Sequence, residues 1–157
     1  MDARTVEALY REHGQVVLRR ARRILGNEDD AREILQEVFT TLLDRDDFRG
    51  DSSITTWLYS ATTNGCFNRM RNQKTRASIL DRHTSKDATA PAAAESIAIV
   101  RELLGAVPNE LAQVAVYHYV DEMTHDEIAR VLGCSRRHVG DLVERLLVSV
   151  RQLEEAR

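Results

Sequence analysis

Residues 124–145 read Thr124-His125-Asp126-Glu127-Ile128-Ala129-Arg130-Val131-Leu132-Gly133-Cys134-Ser135-Arg136-Arg137-His138-Val139-Gly140-Asp141-Leu142-Val143-Glu144-Arg145. Thr124 with Glu127 three residues on is a capping box, which satisfies two backbone N–H groups that a helix start leaves unpaired. Ile128 to Leu132 form a short helix, and Gly133 stops it, because the residue after a helix favours a left-handed backbone that glycine adopts without a Cβ penalty. Ser135 then caps a longer helix with the stripe Val139, Leu142, Val143, Leu146, Leu147, Val150 and Leu153. A short capped helix, a glycine turn and a longer helix make a helix-turn-helix. In that motif the first helix braces the second so that its N-terminal turn enters a major groove about 12 Å wide. Ile128, Ala129, Leu132, Val139 and Leu142 form the brace, and Ser135, Arg136, Arg137 and His138 face phosphates and bases. Any compact helical hairpin shares the apolar spacing, so the DNA reading rests on the cations at the tip.

Upstream of the motif, Ile97, Val100, Leu103, Leu104 and Val107 make a short amphipathic helix stopped by Pro108, and Leu111, Val114, Ala115 and Tyr119 make the next. Before them, Thr84 to Glu95 holds small residues around Pro91 with no periodic apolar face, the mark of a flexible linker. At 157 residues the chain fits one ordinary domain or two small ones, and this linker favours two. With 7 Gly, 2 Pro and 43% hydrophobic residues, the composition excludes collagen and a turn-rich sandwich. The expected architecture is therefore all-α: a helical domain over 1–76, a linker over 77–96, and a helix-turn-helix domain over 97–157. No apolar run approaches the roughly 20 residues of a bilayer span, which predicts a cytoplasmic protein without membrane insertion. Cys66 and Cys134 form no C-x-x-C motif and read as small buried apolar residues.

The first domain reads as three helices. Val6, Leu9, Tyr10, Val17, Ala21, Ile24 and Leu25 share one face up to Gly26. Asn27 and Asp30 open a second helix, whose stripe Ala31, Ile34, Leu35, Val38, Phe39, Leu42 and Leu43 repeats at three and four without a gap. After the polar stretch Asp44 to Ser53, the positions Ile54, Trp57, Leu58, Ala61 and Gly65 restart a helix that runs into Arg71.

Charge alternates in blocks. Residues 1–25 hold six basic and three acidic groups, 26–51 three and nine, 52–86 six and one, and 87–157 seven and twelve. A basic block beside an acidic one suggests an anionic and a cationic partner on the same lobe. Asn68 to Arg76 sets cations along a helix end near Trp57, Tyr59 and Phe67, a combination suited to single-stranded or melted nucleic acid. The plainer alternative is a helix C-terminus whose dipole attracts cations.

Catalytic motifs are missing from the sequence: there is no G-x-x-x-x-G-K, no H-E-x-x-H and no nucleophile elbow. Asp44, Asp46, Asp47 and Asp51 suggest a calcium loop, but Arg49 stands where its glycine belongs and Thr55 where its bidentate glutamate belongs. Cys134 and His138 lie four apart with no third ligand, too few for zinc.

Three stretches in this order give the chain a family likeness. Leu9-Tyr10-Arg11-Glu12-His13 with Asp30-Ala31-Arg32-Glu33-Ile34-Leu35-Gln36-Glu37-Val38-Phe39 resembles the core-polymerase-binding region of an extracytoplasmic-function (ECF) sigma factor. Phe48-Arg49-Gly50-Asp51-Ser52, Thr56-Trp57-Leu58-Tyr59 and Asn64 are similar to its promoter-melting segment. Val107-Pro108, Tyr119-Val120-Asp121 and Thr124 to Ser135 resemble its second domain. The likeness covers residues 9–76 and 97–153.

It implies that Asp29, Asp30, Glu33, Gln36 and Glu37 dock on a basic coiled coil of RNA polymerase. It implies that Phe48, Arg49, Ser52, Ser53, Trp57 and Asn64 handle the minus-ten element around a flipped base, with Arg69, Arg71, Lys74 and Arg76 on the adjacent backbone. Ser135, Arg136, Arg137, His138, Asp141 and Arg145 would meet the minus-thirty-five element. The partners implied are core RNA polymerase, promoter DNA and an anti-sigma factor, with no cofactor and no enzymatic step of its own. The chain departs from the family in its last helix. Where the family usually runs Thr-Val-Lys-Ser-Arg-Leu-His-Arg, residues 138–145 carry Gly140, Asp141, Leu142 and Glu144, a change that lowers the expected affinity for duplex. Two alternatives stay open on the residues: an operator-binding regulator independent of polymerase, and a degenerate sigma-like adaptor that initiates nothing. The acidic second helix argues against the operator binder, which has no use for it.

Overall fold

The computed structural model describes residues 1–45, 53–80 and 92–156, and the side chains of 74–80 and 92–98 stand outside that description. Seven α-helices and one π-helical turn make up the described fold, with no strand among the described residues. The chain packs as two units, 1–66 and 67–157.

In the first unit α1 spans Ala3–Leu25 and α2 spans Glu28–Asp44. The Asp2 carboxylate accepts from the Thr5 N–H at 2.7 Å and starts α1, while Gly26, at φ 70°, ends it by donating its N–H to the Arg22 carbonyl. Asn27 caps α2 by accepting from the Asp30 N–H at 3.0 Å, and Glu28, Asp29 and Asp30 crowd the first turn where the helix dipole favours anions. Ala31, Ile34, Leu35, Val38, Phe39 and Leu42 are buried, as the repeat predicts, and meet the buried face Val6, Val17, Ala21 and Ile24 of α1. Tyr10 sits edge-on to Phe39 with ring centroids 5.1 Å apart.

The third helix, α3, spans Ile54–Leu80 and crosses from one unit to the next. Leu58, Thr62, Thr63 and Cys66 are its buried residues in the first unit, while Ile54, Trp57, Ala61 and Gly65 of the expected stripe are half-buried. The threonines tolerate burial because each hydroxyl donates to the carbonyl four residues back, Thr62 to Leu58 at 2.6 Å and Thr63 to Tyr59 at 2.9 Å.

The second unit holds the end of α3 with α4 (Ala92–Ala106), α5 (Asn109–Ala115), the π-turn Val116–Val120, α6 (His125–Leu132) and α7 (Arg136–Glu155). Helix therefore occupies both ends of the 77–96 stretch expected as linker, and residues 81–91 lie outside the description. The alanine run 92–94 accounts for the early start of α4: alanine has the best helix propensity and needs no apolar face to be helical. Leu111, Ala112, Val114, Val116, Tyr117, Ile128, Val139, Leu142 and Leu146 form the core. The π-turn closes as the Asp121 N–H donates to the Val116 carbonyl at 3.0 Å, and Glu122, at φ 53°, turns the chain toward α6.

Candidate polymerase-binding and nucleic-acid interfaces

In the first unit α2 buries one face against α1 and turns the other outward. Asp29, Glu33, Gln36 and Glu37 are exposed and Asp30 is half-buried, so all five residues expected at a polymerase contact share the outer side. The neighbouring Glu28 has a different role. Its carboxylate accepts from Arg22, through Nε and a second N–H at 3.1 Å, and from Arg32 Nε at 3.3 Å, and these bonds, Arg22 first, hold it below the ordinary glutamate range. A groove lies beside the acidic face, bordered by Tyr10, Gly14 and Leu18 of α1 and by Arg32, Glu33 and Gln36 of α2.

Of the residues expected at a minus-ten element, Phe48, Arg49 and Ser52 lie outside the described residues. The Ser53 Oγ accepts from the Thr56 N–H at 3.2 Å and caps α3. Trp57 is half-buried, with the Arg45 guanidinium 5.2 Å from its ring centroid, and Asn64 is half-buried about two helical turns further on. A clamp that sequence reading missed fixes this part of α3. Arg20 of α1 donates through Nε to Thr63 Oγ1 at 3.0 Å while its guanidinium stacks 3.5 Å from the centre of the Tyr59 ring.

Arg69 and Arg71, of the basic stretch, are half-buried in the second unit. Arg71 donates to the Val107 carbonyl, and beside it Asn109 Nδ2 donates to Asn68 Oδ1 at 2.9 Å. Lys74 and Arg76 lie on α3, and their side chains fall outside the description.

The helix-turn-helix stands as the sequence predicts. Glu127 donates its N–H to Thr124 Oγ1 at 3.2 Å, and its own carboxylate accepts from the Thr124 N–H at 2.8 Å. Gly133, at φ 68°, returns its N–H to the Ala129 carbonyl, and Ser135 Oγ accepts from the His138 N–H at 3.1 Å. Ile128, Ala129, Val139 and Leu142 are buried and Leu132 half-buried, so the brace exists. Ser135, Arg136, Arg137, His138, Asp141 and Arg145 are exposed along the outer side of α7. Cys134 is half-buried, and burial, with Glu110 adding to it, pushes its thiol up.

An ion pair and a histidine–carboxylate hydrogen bond at the tip were not visible in the sequence. Arg136 lies 3.7 Å from Asp126 of α6, and His138 Nε2 lies 3.2 Å from Glu110 Oε1 of α5. Among the described residues no group of three or more His, Cys, Asp or Glu could hold a metal ion, and no helix is long and apolar enough to cross a membrane.

The family model for Sigma-70 region 2 matches residues 9–76, and that for Sigma-70 region 4 matches residues 97–148. RNA polymerase sigma factor YlaC of Bacillus subtilis (strain 168) is 26% identical over 157 residues, which covers 94% of this chain and 91% of that protein. The structure of CnrH in complex with the cytosolic domain of CnrY is similar over 99% of this chain and 90% of that one, at 25% identity and a TM-score of 0.56. The fold is also that of RpoE from Bartonella quintana, solved with the anti-sigma factor NepR: 17% identity, a TM-score of 0.53, and 93% and 96% of the two chains covered. A Sigma-70 region 2 followed by a Sigma-70 region 4 on one chain is the make-up of a transcription initiation factor. The chain belongs to the sigma-70 family and is a sigma factor of the ECF kind, a partner of RNA polymerase and promoter DNA.

Proposed function

We propose that this chain is a cytoplasmic initiation factor that brings core RNA polymerase to a dedicated promoter set through three surfaces. Asp29, Asp30, Glu33, Gln36 and Glu37 dock on a basic surface of the polymerase. The observation that carries this reading is the outer side of α2, where Asp29, Glu33, Gln36 and Glu37 are exposed and Asp30 is half-buried.

Phe48, Arg49, Ser52, Ser53, Trp57 and Asn64 capture an extruded base of the minus-ten element. Unstacking a base costs a few kcal/mol, which capture in a pocket offsets. Arg69, Arg71, Lys74 and Arg76 contribute salt-sensitive backbone contacts, and Arg71 must exchange its bond to the Val107 carbonyl for a phosphate to do so. Ser135, Arg136, Arg137, His138, Asp141 and Arg145 meet the minus-thirty-five element, where Asp141 can accept from a cytosine amino group. The chain supplies no chemistry, and the catalytic metal belongs to the polymerase. An anti-sigma factor is the expected inhibitor, as in the complex of RpoE with NepR.

The test is transcription of a genomic library by purified core polymerase with and without this chain, with starts mapped. A recurrent pair of upstream elements that appears only with the chain supports the reading. Starts unchanged by the chain contradict it.

A further inference from the structure

In the second unit two of three consecutive polar side chains at the start of α7 already have acidic partners. Arg136, Arg137 and His138 are consecutive in the first turn of α7, and all three are exposed. Arg136 meets Asp126, from the first turn of α6, at 3.7 Å, and His138 meets Glu110, from the first turn of α5, at 3.2 Å. Arg137 has no ionic partner among the described residues. Each acid sits where its own helix dipole welcomes an anion, so neither needs a cation from α7 to be stable. Their placement beside that turn has a separate effect: a carboxylate within 4 Å of a cation occupies the position a DNA phosphate oxygen would take.

We propose that Glu110 and Asp126 are internal competitors for the duplex, positioning residues that hold His138 and Arg136 off the phosphates and leave Arg137 as the cation that engages DNA first. The proposal rests on the sigma-factor reading of α7 and adds two residues, from other helices, that set the strength of its contact. A phosphate bound by Arg136 or His138 must displace a carboxylate, so each such contact contributes less than a free cation would. The net charge of the turn with its two acids is nearly neutral, and upstream contact then depends on polymerase and the first unit holding the promoter in place. The competition is an exchange of partners and needs no movement of the fold.

The experiment is binding of the full-length chain to a 25-base-pair duplex, followed by fluorescence anisotropy over a salt series. Glu110→Gln with Asp126→Asn should tighten binding roughly fivefold at low salt, the scale of one exposed ion pair with one exposed hydrogen bond. The plot of log affinity against log salt should steepen by up to about 0.9 for each phosphate newly neutralised. Arg136→Ala with His138→Ala should cost little in the native background and erase the whole gain in the Gln/Asn background, whereas Arg137→Ala should cost the same in both. Glu122→Gln with Glu154→Gln removes two exposed acids of the same unit that have no ionic partner among the described residues, and it serves as the charge control.

An equal gain from that control would show a general field effect and overturn the proposal. So would an unchanged salt slope, or a Gln/Asn variant that still fails to bind duplex. Co-elution of the native chain with core polymerase, scored separately, reports on the sigma-factor reading itself. Its loss would sink that reading while leaving the duplex result to judge the competition.

Discussion

The two units handle charge in opposite ways. In the first, Arg22 and Arg32 both bind Glu28, and the outer side of α2 presents Asp29, Glu33 and Glu37 exposed with Asp30 half-buried. In the second, acids from two other helices meet the tip of α7, Asp126 pairing with Arg136 and Glu110 lying at hydrogen-bond distance from His138. The same helical material thus yields one strongly charged face and one nearly neutral face. On the proposed function, affinity for polymerase would concentrate in the first unit, and the second would contribute selectivity once the DNA is at hand.

If the units are separate cores, damage to one should leave the other standing. Ile34→Ala and Leu142→Ala each empty a fully buried site and should each cost about 2–5 kcal/mol. Thermal unfolding followed by hydrogen exchange should show lost protection in α1 and α2 for the first variant, and in α5 to α7 for the second. Loss of protection across both units from either variant would break the comparison.

A smaller effect separates positioning from packing within the first unit. Arg20→Ala removes the bond to Thr63 and the stack on Tyr59, and should cost roughly 1.5–3 kcal/mol, the range for a hydrogen bond to a charged group. Promoter opening should slow while polymerase affinity is retained, measured by permanganate reactivity of melted thymines. An equal fall in both would make Arg20 a general stabiliser.

In the second unit, Thr124→Ala removes the capping box and should cost about 1 kcal/mol, with α6 fraying first by hydrogen exchange. The smallest effect concerns Glu28. Its folded pKa is lowered by Arg22 and then Arg32, so its stabilisation is present above the unfolded pKa and is lost as pH falls through the folded one. Glu28→Gln should flatten the acid limb of the first unit's stability curve slightly and leave that of the second unchanged.

Legibility in the sequence followed the range of the interaction. The stripe of α2 up to Leu42, the Asn27 cap, the Thr124 box and the stops at Gly26 and Gly133 are local patterns that stand where they were expected, while Leu43, the last of that stripe, is exposed. Thr62 and Thr63 stand outside the apolar stripe expected of α3, because a threonine hydroxyl looks polar until its bond to the preceding turn is seen. The start of α4 was missed because alanine makes helix without leaving an apolar stripe. The acidic face of α2 was legible as a run of charges, but the pairing of Glu110 with His138 spans 28 residues and exists only once α5 and α7 are packed together.

The most direct measurement is co-purification of the chain with core RNA polymerase, comparing the native protein with Asp30→Arg combined with Glu33→Arg. Loss of one partner of a desolvated cross-interface charge pair typically costs about 2–5 kcal/mol, so the double variant should lose at least roughly thirtyfold in affinity. Its circular dichroism should remain helical, since Glu33 is exposed and Asp30 only half-buried. A folded variant that no longer co-elutes is the predicted result. Undiminished binding would contradict the assignment of the acidic face to the polymerase.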